Sequence, residues 1–375
     1  MRIATARFSP DAGWSHPEQL IADSASTAVF VFGDSALIDD PSPIAELVAR
    51  YPSSHVIGCS TSGHILNDQL ADVGLTCLAS RFEASRLASA AAPLVSTGGS
   101  RCAGRTLAES LAGEGLRAVF VLAPGHSVNG SELASGLQEA LPPGVVVTGG
   151  LAGDGVRFER TWTVHNGAPR PEQVVALGLY GPRIRVTHGS EGGWRGFGPT
   201  RRVTRSEGHV LYELDGEPAL PLYKRYLGAE ADQLPAAALL YPLAIEVGSD
   251  MVVRTILGID EQRGSLQFAG DVPEGAKAQF MLAVSEQLLE GAARSAESAR
   301  PGRDPVLALA VSCAGRRQVL GERTEEELEA VLERLPPGSV MTGFYSHGEL
   351  SPGGQSVCRL HNQTMTLTAI WEAAA

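Results

Sequence analysis

Nine histidines, three arginines and a cysteine–serine pair set between glycines are the residues of this chain best suited to chemistry. His188 opens a glycine-rich loop (HGSEGGWRGFG), His361 lies in LHNQT, and His347 lies in GFYSHGEL. One neutral imidazole suffices to hold haem iron, so these three are candidate ligands, with His188 and His361 first as metal ligands. Arg316 and Arg317 are adjacent and Arg201 follows the glycine-rich loop; guanidinium forks match planar anions such as carboxylates or propionates. No C-x-x-C-H is present, so any haem is expected to bind non-covalently. Cys59 and Ser60 sit in GCSTSG, which is one residue too long for the G-x-S-x-G of a nucleophile elbow. With Asp154 (GGLAGDG), Trp194 and Glu349, they are candidate contacts to a small ligand. A Walker phosphate loop and an H-E-x-x-H motif are both missing, and the expectation is that the protein is not an enzyme. The five cysteines are odd in number and lack C-x-x-C spacing, which argues against a disulfide framework or structural zinc.

The elements that must position these residues recur three times. An apolar run (Thr27–Gly33), a helix around Pro43–Arg50 and a strand at His55–Ile57 lead into the glycine loop Gly58–Gly63. Ala118–Ala123, a helix over Ser131–Leu141 and Val145–Thr148 lead into Gly149–Gly155. Val306–Ser312, a helix over Glu325–Leu335 and Val340–Thr342 lead into Gly343–Gly348. The match of LPPGVVVTGG to LPPGSVMTGF, 194 residues apart, is the strongest internal signal. Continuous apolar runs read as buried parallel strands, and open α/β sheets bind ligands outside the carboxyl ends of their strands. The expected fold is therefore α/β: duplicated β-α-β halves, mixed but mainly parallel sheets, and a ligand cleft at the glycine loops. The boundary between halves is placed near Pro182, giving domains 1–182 and 183–375. Between the second and third copies, strands are expected at Leu239–Glu246, Met251–Ile259 and Gly264–Phe268, then a helix over Phe280–Ser295 and a loop at Ser295–Asp304. A first helix is expected from Pro17.

Composition narrows the partners. A formal net charge of −12 opposes non-specific binding to nucleic acid or anionic membranes, both of which need a basic field. No apolar run reaches the length of a membrane span, and the first residues lack the apolar core of a secretory signal. The expectation is a soluble cytoplasmic protein that binds no nucleic acid and does not insert into membranes.

Several long stretches carry a family resemblance. HGSEGGW, VTRSEG and LYELDGEPAL, followed by YPLAIEV, RTILGIDEQRGSLQFAGDVPEG, SCAGRR and GFYSHGELSP, resemble the C-terminal region of FIST proteins. GCSTSG and GGLAGDG are similar to the glycine loops of the FIST N-terminal region. His347 departs from the family pattern, which carries Tyr in GFYSYGE-type runs. The resemblance implies an N-terminal and a C-terminal FIST domain and a sensory, ligand-binding role in signal transduction. Some stand-alone FIST proteins are haem-binding nitric-oxide sensors that control a histidine kinase in a two-component system. On that version His188 or His361 holds iron, and Arg201, Arg316 or Arg317 pairs with propionates. Small metabolites such as amino acids are the competing ligands; there Asp154, Glu349 and the N–H groups of the glycine loops hold an amine and a carboxylate. A hydrolase or transferase using the same strand-end cleft is a further alternative.

Overall fold

The computed structural model describes residues 1–15, 20–94, 99–155, 157–234, 236–248, 250–300, 302–353 and 357–374. His16 and the start of the helix expected from Pro17 lie outside them. The three apolar runs are strands, Thr27–Gly33, Leu116–Ala123 and Leu307–Cys313, buried throughout except at the exposed Arg117. Each pairs in parallel with the strand that follows its helix or helices, at His55–Ser60, Val146–Leu151 and Val340–Ser346. Each first strand also pairs antiparallel with a later one, at Leu75–Arg81, Gln173–Tyr180 and Met365–Glu372. A further antiparallel strand follows on that side, at Arg2–Ser9, Arg86–Pro93 and Ile184–Glu191; the last two are edges, and Arg2–Ser9 is itself flanked by Gly13–Trp14. The result is three six-stranded sheets of one design.

Period-2 alternation explains how the sheets pack. Phe30 and Phe32, Phe120 and Leu122, and Leu309 and Val311 all face one shared core. The alternate residues face outward onto helices. Val29 and Val31 meet the helix Ser42–Arg50. Val119 and Val121 meet the helices Gly99–Leu111 and Gly130–Ala140. Ala308 and Ala310 meet the helices Ser285–Ala299 and Thr324–Leu332.

On the free side of its second parallel strand, each sheet takes a strand from another unit. After its glycine loop, the first unit sends His64–Leu66 to pair with Val340–Ser346 of the third sheet. The second sends Thr163–His165 to His55–Ser60 of the first sheet. The third sends Gly348–Pro352 to Val146–Leu151 of the second sheet. Three units thus exchange strands in a cycle.

A fourth, eight-stranded sheet is inserted between the edge strand Ile184–Glu191 and the helix Ser285–Ala299. Its terminal strands, Asp250–Arg254 and Ile256–Asp260, are joined through Thr255. Tyr223, Phe280, Leu222 and Leu266 help fill a core of its own.

The structure corrects several expectations. The architecture is mixed α/β, but the sheets are not mainly parallel: among the described pairings only those within the three crossover units are parallel. Apolar runs mark burial on both faces but not strand direction, and the returning strands are equally apolar. The loop expected at Ser295–Asp304 begins as helix, because Ser285–Ala299 is one element. Its small residues Ala292, Ser295, Ala296 and Ala299 form a stripe that lies directly on the edge strand. A Cβ on Gly189 would stand 1.9 Å from the Ser295 carbonyl oxygen. The helix expected at Phe280–Ser295 loses its first turn to the strand Lys277–Leu282.

Candidate functional site

The three glycine loops meet, and they bond to one another. Ser62 N–H donates to the Tyr345 carbonyl at 2.8 Å, Gly153 N–H to the Ser60 carbonyl at 3.0 Å, and His347 N–H to the Leu151 carbonyl at 3.1 Å. Gly153 sits at the crossing. A Cβ there would lie 2.3 Å from Ser62 Oγ, 2.6 Å from Ser62 N and 2.9 Å from the Tyr345 carbonyl oxygen. Only glycine permits that approach. These three amides are committed within the protein and are not free to hold the carboxylate expected at the glycine-loop N–H groups.

Beside this junction, Asp154 is fully buried and organises the segment after the second loop. Its Oδ1 accepts from Phe158 N–H at 3.0 Å, and its Oδ2 from Glu159 and Arg160 N–H at 2.8 and 2.9 Å. Burial pushes its carboxyl up, but these donors and the nearby His347 outweigh it and leave the group below its usual range. Phe158 is thereby held at φ 55°, a left-handed conformation that bulky residues rarely adopt, and its ring stacks on His347 at 4.1 Å. His347 Nε2 donates to the Gly155 carbonyl at 3.1 Å and lies 3.4 Å from Asp154 Oδ1. Burial pushes this imidazole's pKa down, so it is neutral near pH 7. With the proton on Nε2, Nδ1 is an acceptor. It is buried without a partner and faces Gly125, where an added Cβ would stand 2.7 Å away.

His347 forms part of the floor of a cleft of about 610 Å³, a size ordinary for small-molecule sites. Two further walls come from the carboxyl ends of the second unit's strands: Gly125–Asn129, and Leu151 with Arg157 and Phe158. The last wall belongs to the fourth sheet: His209, Leu257 and Gln267–Gly270. Arg157, His126, His209 and Gln267 are exposed at the rim. His126 Nδ1 lies 3.2 Å from Thr161 Oγ1, and Arg157 Nη2 donates to Ser35 Oγ at 2.8 Å. Sequence reasoning brought Asp154 and His347 here but missed Arg157, Phe158, His126, His209 and Gln267. The available signal was position: His126 and Arg157 each follow a buried strand within a few residues. Nothing local marked the fourth-sheet wall.

The other candidates lie elsewhere. Cys59 points into the shared core, where burial pushes its thiol well up. Ser60 Oγ accepts from Trp162 N–H at 3.1 Å, and Trp194 Nε1 donates to the Gln363 carbonyl at 2.8 Å. Glu349 is fully buried, accepting from Ser346 Oγ at 2.6 Å and from Thr364 N–H and Oγ at 3.1 and 2.9 Å. Burial lifts its pKa to about 7 against these donors. Arg201 pairs with Asp215 and donates to the Tyr226 hydroxyl. Arg317 makes a two-pronged pair with Asp72 and donates to the Ser62 carbonyl. Arg316 is fully buried; it bonds Glu327 and the carbonyls of Gly192, Leu288 and Gln363. Glu327 also accepts from Ser312 and the Tyr345 hydroxyl.

His188 and His361 do share a cleft, of about 640 Å³, with Asp250, Ser190 and Thr364. His361 Nε2 bonds the Ser351 carbonyl, and burial lowers its pKa to about 4. The arginines expected at propionates are not among its described lining residues and have the partners given above, and the cleft's walls are rich in polar side chains and backbone. His347 faces the other cleft. This donor set does not assemble a porphyrin site. Among the described residues, no group of three or more His, Cys, Asp and Glu is placed to hold a metal ion. Among them, too, no helix is long and apolar enough to cross a membrane. A serine does meet histidines, Ser89 Oγ with His55 Nδ1 at 2.9 Å and His165 Nε2 at 3.0 Å. That contact lies at the amino end of the strand His55–Ser60, away from the glycine loops.

Comparison with known proteins places these features in context. The family model of the FIST N domain matches residues 27–217, and that of the FIST C domain matches residues 219–352. An uncharacterized protein of Mycobacterium tuberculosis is 29% identical over 225 residues, covering 56% of this chain and 57% of the relative. One from Mycobacterium bovis is 28% identical over 226 residues, covering 56% of each. One from Methanocaldococcus jannaschii is 24% identical over 264 residues, covering 61% of this chain and 49% of the relative. The chain thus spans about half the length of the curated relatives it matches.

Proposed function

The chain belongs to the FIST family, and on that premise we propose that it is a sensory protein whose ligand is a small metabolite held in the cleft at His347. The observation that carries this reading is the construction of the cleft. Its floor combines a left-handed Phe158, held from beneath by the fully buried Asp154, with a histidine that has an unpartnered buried nitrogen. Backbone strain at a bulky residue and an orphaned polar atom, brought together in one cleft, are features that cluster at functional sites. A catalytic role has no comparable support, since Thr161, the hydroxyl beside His126, is itself buried and accepts from Gly125 N–H.

Signalling follows from which elements form the walls. The second and third units share the central core, whereas the fourth sheet has its own. The two bodies are tied by polar links near the cleft: Asn129 to Asp271 at 3.2 Å, and buried Arg254 to the Leu360 carbonyl at 2.7 Å. A ligand touching both walls favours one arrangement of the fourth sheet over others, and only that differential affinity shifts the population. The shifted surface is read by a signalling partner such as a histidine kinase. Thermal-shift screening of carboxylic acids, keto acids and amino acids tests the placement. Hits are expected to weaken both in Arg157→Gln and in Gln267→Ala, which lie on opposite walls. Hits insensitive to both substitutions would refute it.

A further inference from the structure

The charge pattern of the cleft selects among small metabolites. Its described lining carries one arginine and three histidines, Arg157, His126, His209 and His347, and no aspartate or glutamate. With histidines counted as neutral, as in the chain's net charge of −12, the described lining carries one positive charge, on Arg157. Asp154, beneath the floor, has its oxygens occupied by three backbone N–H groups and His347 and has no exposed surface, so it is not available to an ammonium group. Asp271, next to the lining residue Gly270, accepts from the Asn129 side-chain amide at 3.2 Å. Beside the polar Ser127, Asn129 and Gln267, the lining has an apolar part: Phe158, Phe268, Leu151, Val128 and Leu257, the last of which is 44% exposed. An exposed large apolar side chain at the mouth of a cleft gains from covering by an apolar ligand.

We propose that the ligand is a small organic anion with an apolar tail and no amino group, its carboxylate held at the rim by Arg157 with His126 or His209 and its tail against Phe268 and Leu257. This inference rests on the cleft being the sensory site. An α-amino acid would bring its ammonium group, one carbon from the carboxylate, beside the Arg157 guanidinium, where like charges repel. Its deaminated twin keeps the anion and tail and loses that cost.

Matched pairs test the assignment: 3-phenylpropionate against L-phenylalanine, and 4-methylpentanoate against L-leucine, measured by isothermal titration calorimetry on the full chain. The deaminated acid of a pair is expected to bind at least about tenfold more tightly, equivalent to roughly 1.4 kcal/mol. Arg157→Gln is expected to weaken it about fivefold or more. Arg157 is exposed, so that variant keeps its fold, and His126→Gln supplies an independent second substitution at the rim. Amino acids binding as tightly as their twins, with loss in Gln267→Ala, would overturn the anion assignment while leaving the cleft as the sensory site. Deaminated acids that bind equally well to Arg157→Gln and His126→Gln would overturn it too. Failure of both series to bind would overturn the assignment together with the reading beneath it.

Discussion

Replacing Glu349 by glutamine should stabilise the protein in mildly alkaline solution and do little in acid. Glu349 is fully buried, and burial lifts its carboxyl from an ordinary value of 4.5 to about 7, against the donors Ser346 and Thr364. The folded state thus prefers the protonated form. Below pH 4.5 both folded and unfolded chains hold the proton, and the side chain contributes its full stability. As pH rises from 4.5 through 7 the unfolded chain releases the proton first, so stability is lost with increasing pH. The loss is complete once the folded form has ionised, and it amounts to about 3 kcal/mol at roughly 1.4 kcal/mol for each tenfold difference in proton affinity. Glutamine keeps one oxygen for Thr364 N–H and Oγ and turns its amide toward Ser346 Oγ, which can accept. The variant carries no charge at any pH. Urea unfolding of both proteins at pH 4.5 and pH 8 should therefore show Glu349→Gln gaining about 2–3 kcal/mol on the wild type between the two conditions. An unchanged difference, or a gain by the wild type at pH 8, would refute the reasoning.

Other substitutions probe other parts of the design. Gly153→Ala forces a Cβ to within 2.3 Å of Ser62 Oγ where the three loops cross, and should cost about 2 kcal/mol or more by overpacking; chemical denaturation measures it. Glu327→Gln leaves the fully buried Arg316 facing carbonyls without its carboxylate, and should cost about 3–5 kcal/mol, with Arg316→Met on the same background recovering part of the loss. His361 has its pKa lowered by burial to about 4, so its stability contribution is full above 6.5 and falls away as pH drops through 4. Unfolding at pH 7 and pH 4.5 should show His361→Gln losing about 2 kcal/mol less than the wild type on acidification. On haem addition the absorption spectrum should remain that of free haem, because His188 and His361 share a cleft that lacks the expected arginines; a sharp Soret band abolished by His188→Ala would overturn that expectation.

Much of the local structure was legible. The three apolar runs could only be buried strands, since TAVFVFG, AVFVLA and VLALAVS have no polar face to give to water. The proline and glycine punctuation around LPPG placed the crossover helices between parallel strands, and long ordered motifs carried the family. Misreadings arose where composition and packing disagreed. SAESARPGRD looks like a loop because it is polar and holds proline and glycine, yet its small residues are what let a helix lie on the strand at Gly189.

By itself the sequence determined that three strand–helix–strand units exist, that each ends in a glycine loop, and that Asp154 and His347 sit in two of those loops. Only the tertiary structure decided that each unit sends its next strand into another unit's sheet. Periodicity sets which residues of a strand are buried but leaves its partner open, because partner choice depends on register and packing between segments far apart in the chain. The cyclic exchange draws the loops together, so their glycines serve backbone-to-backbone contact rather than a ligand. The cleft then opens one layer further out. There Arg157 and His126 meet His209 and Gln267 of a sheet inserted in sequence between edge strand and helix, whose position no local pattern could encode.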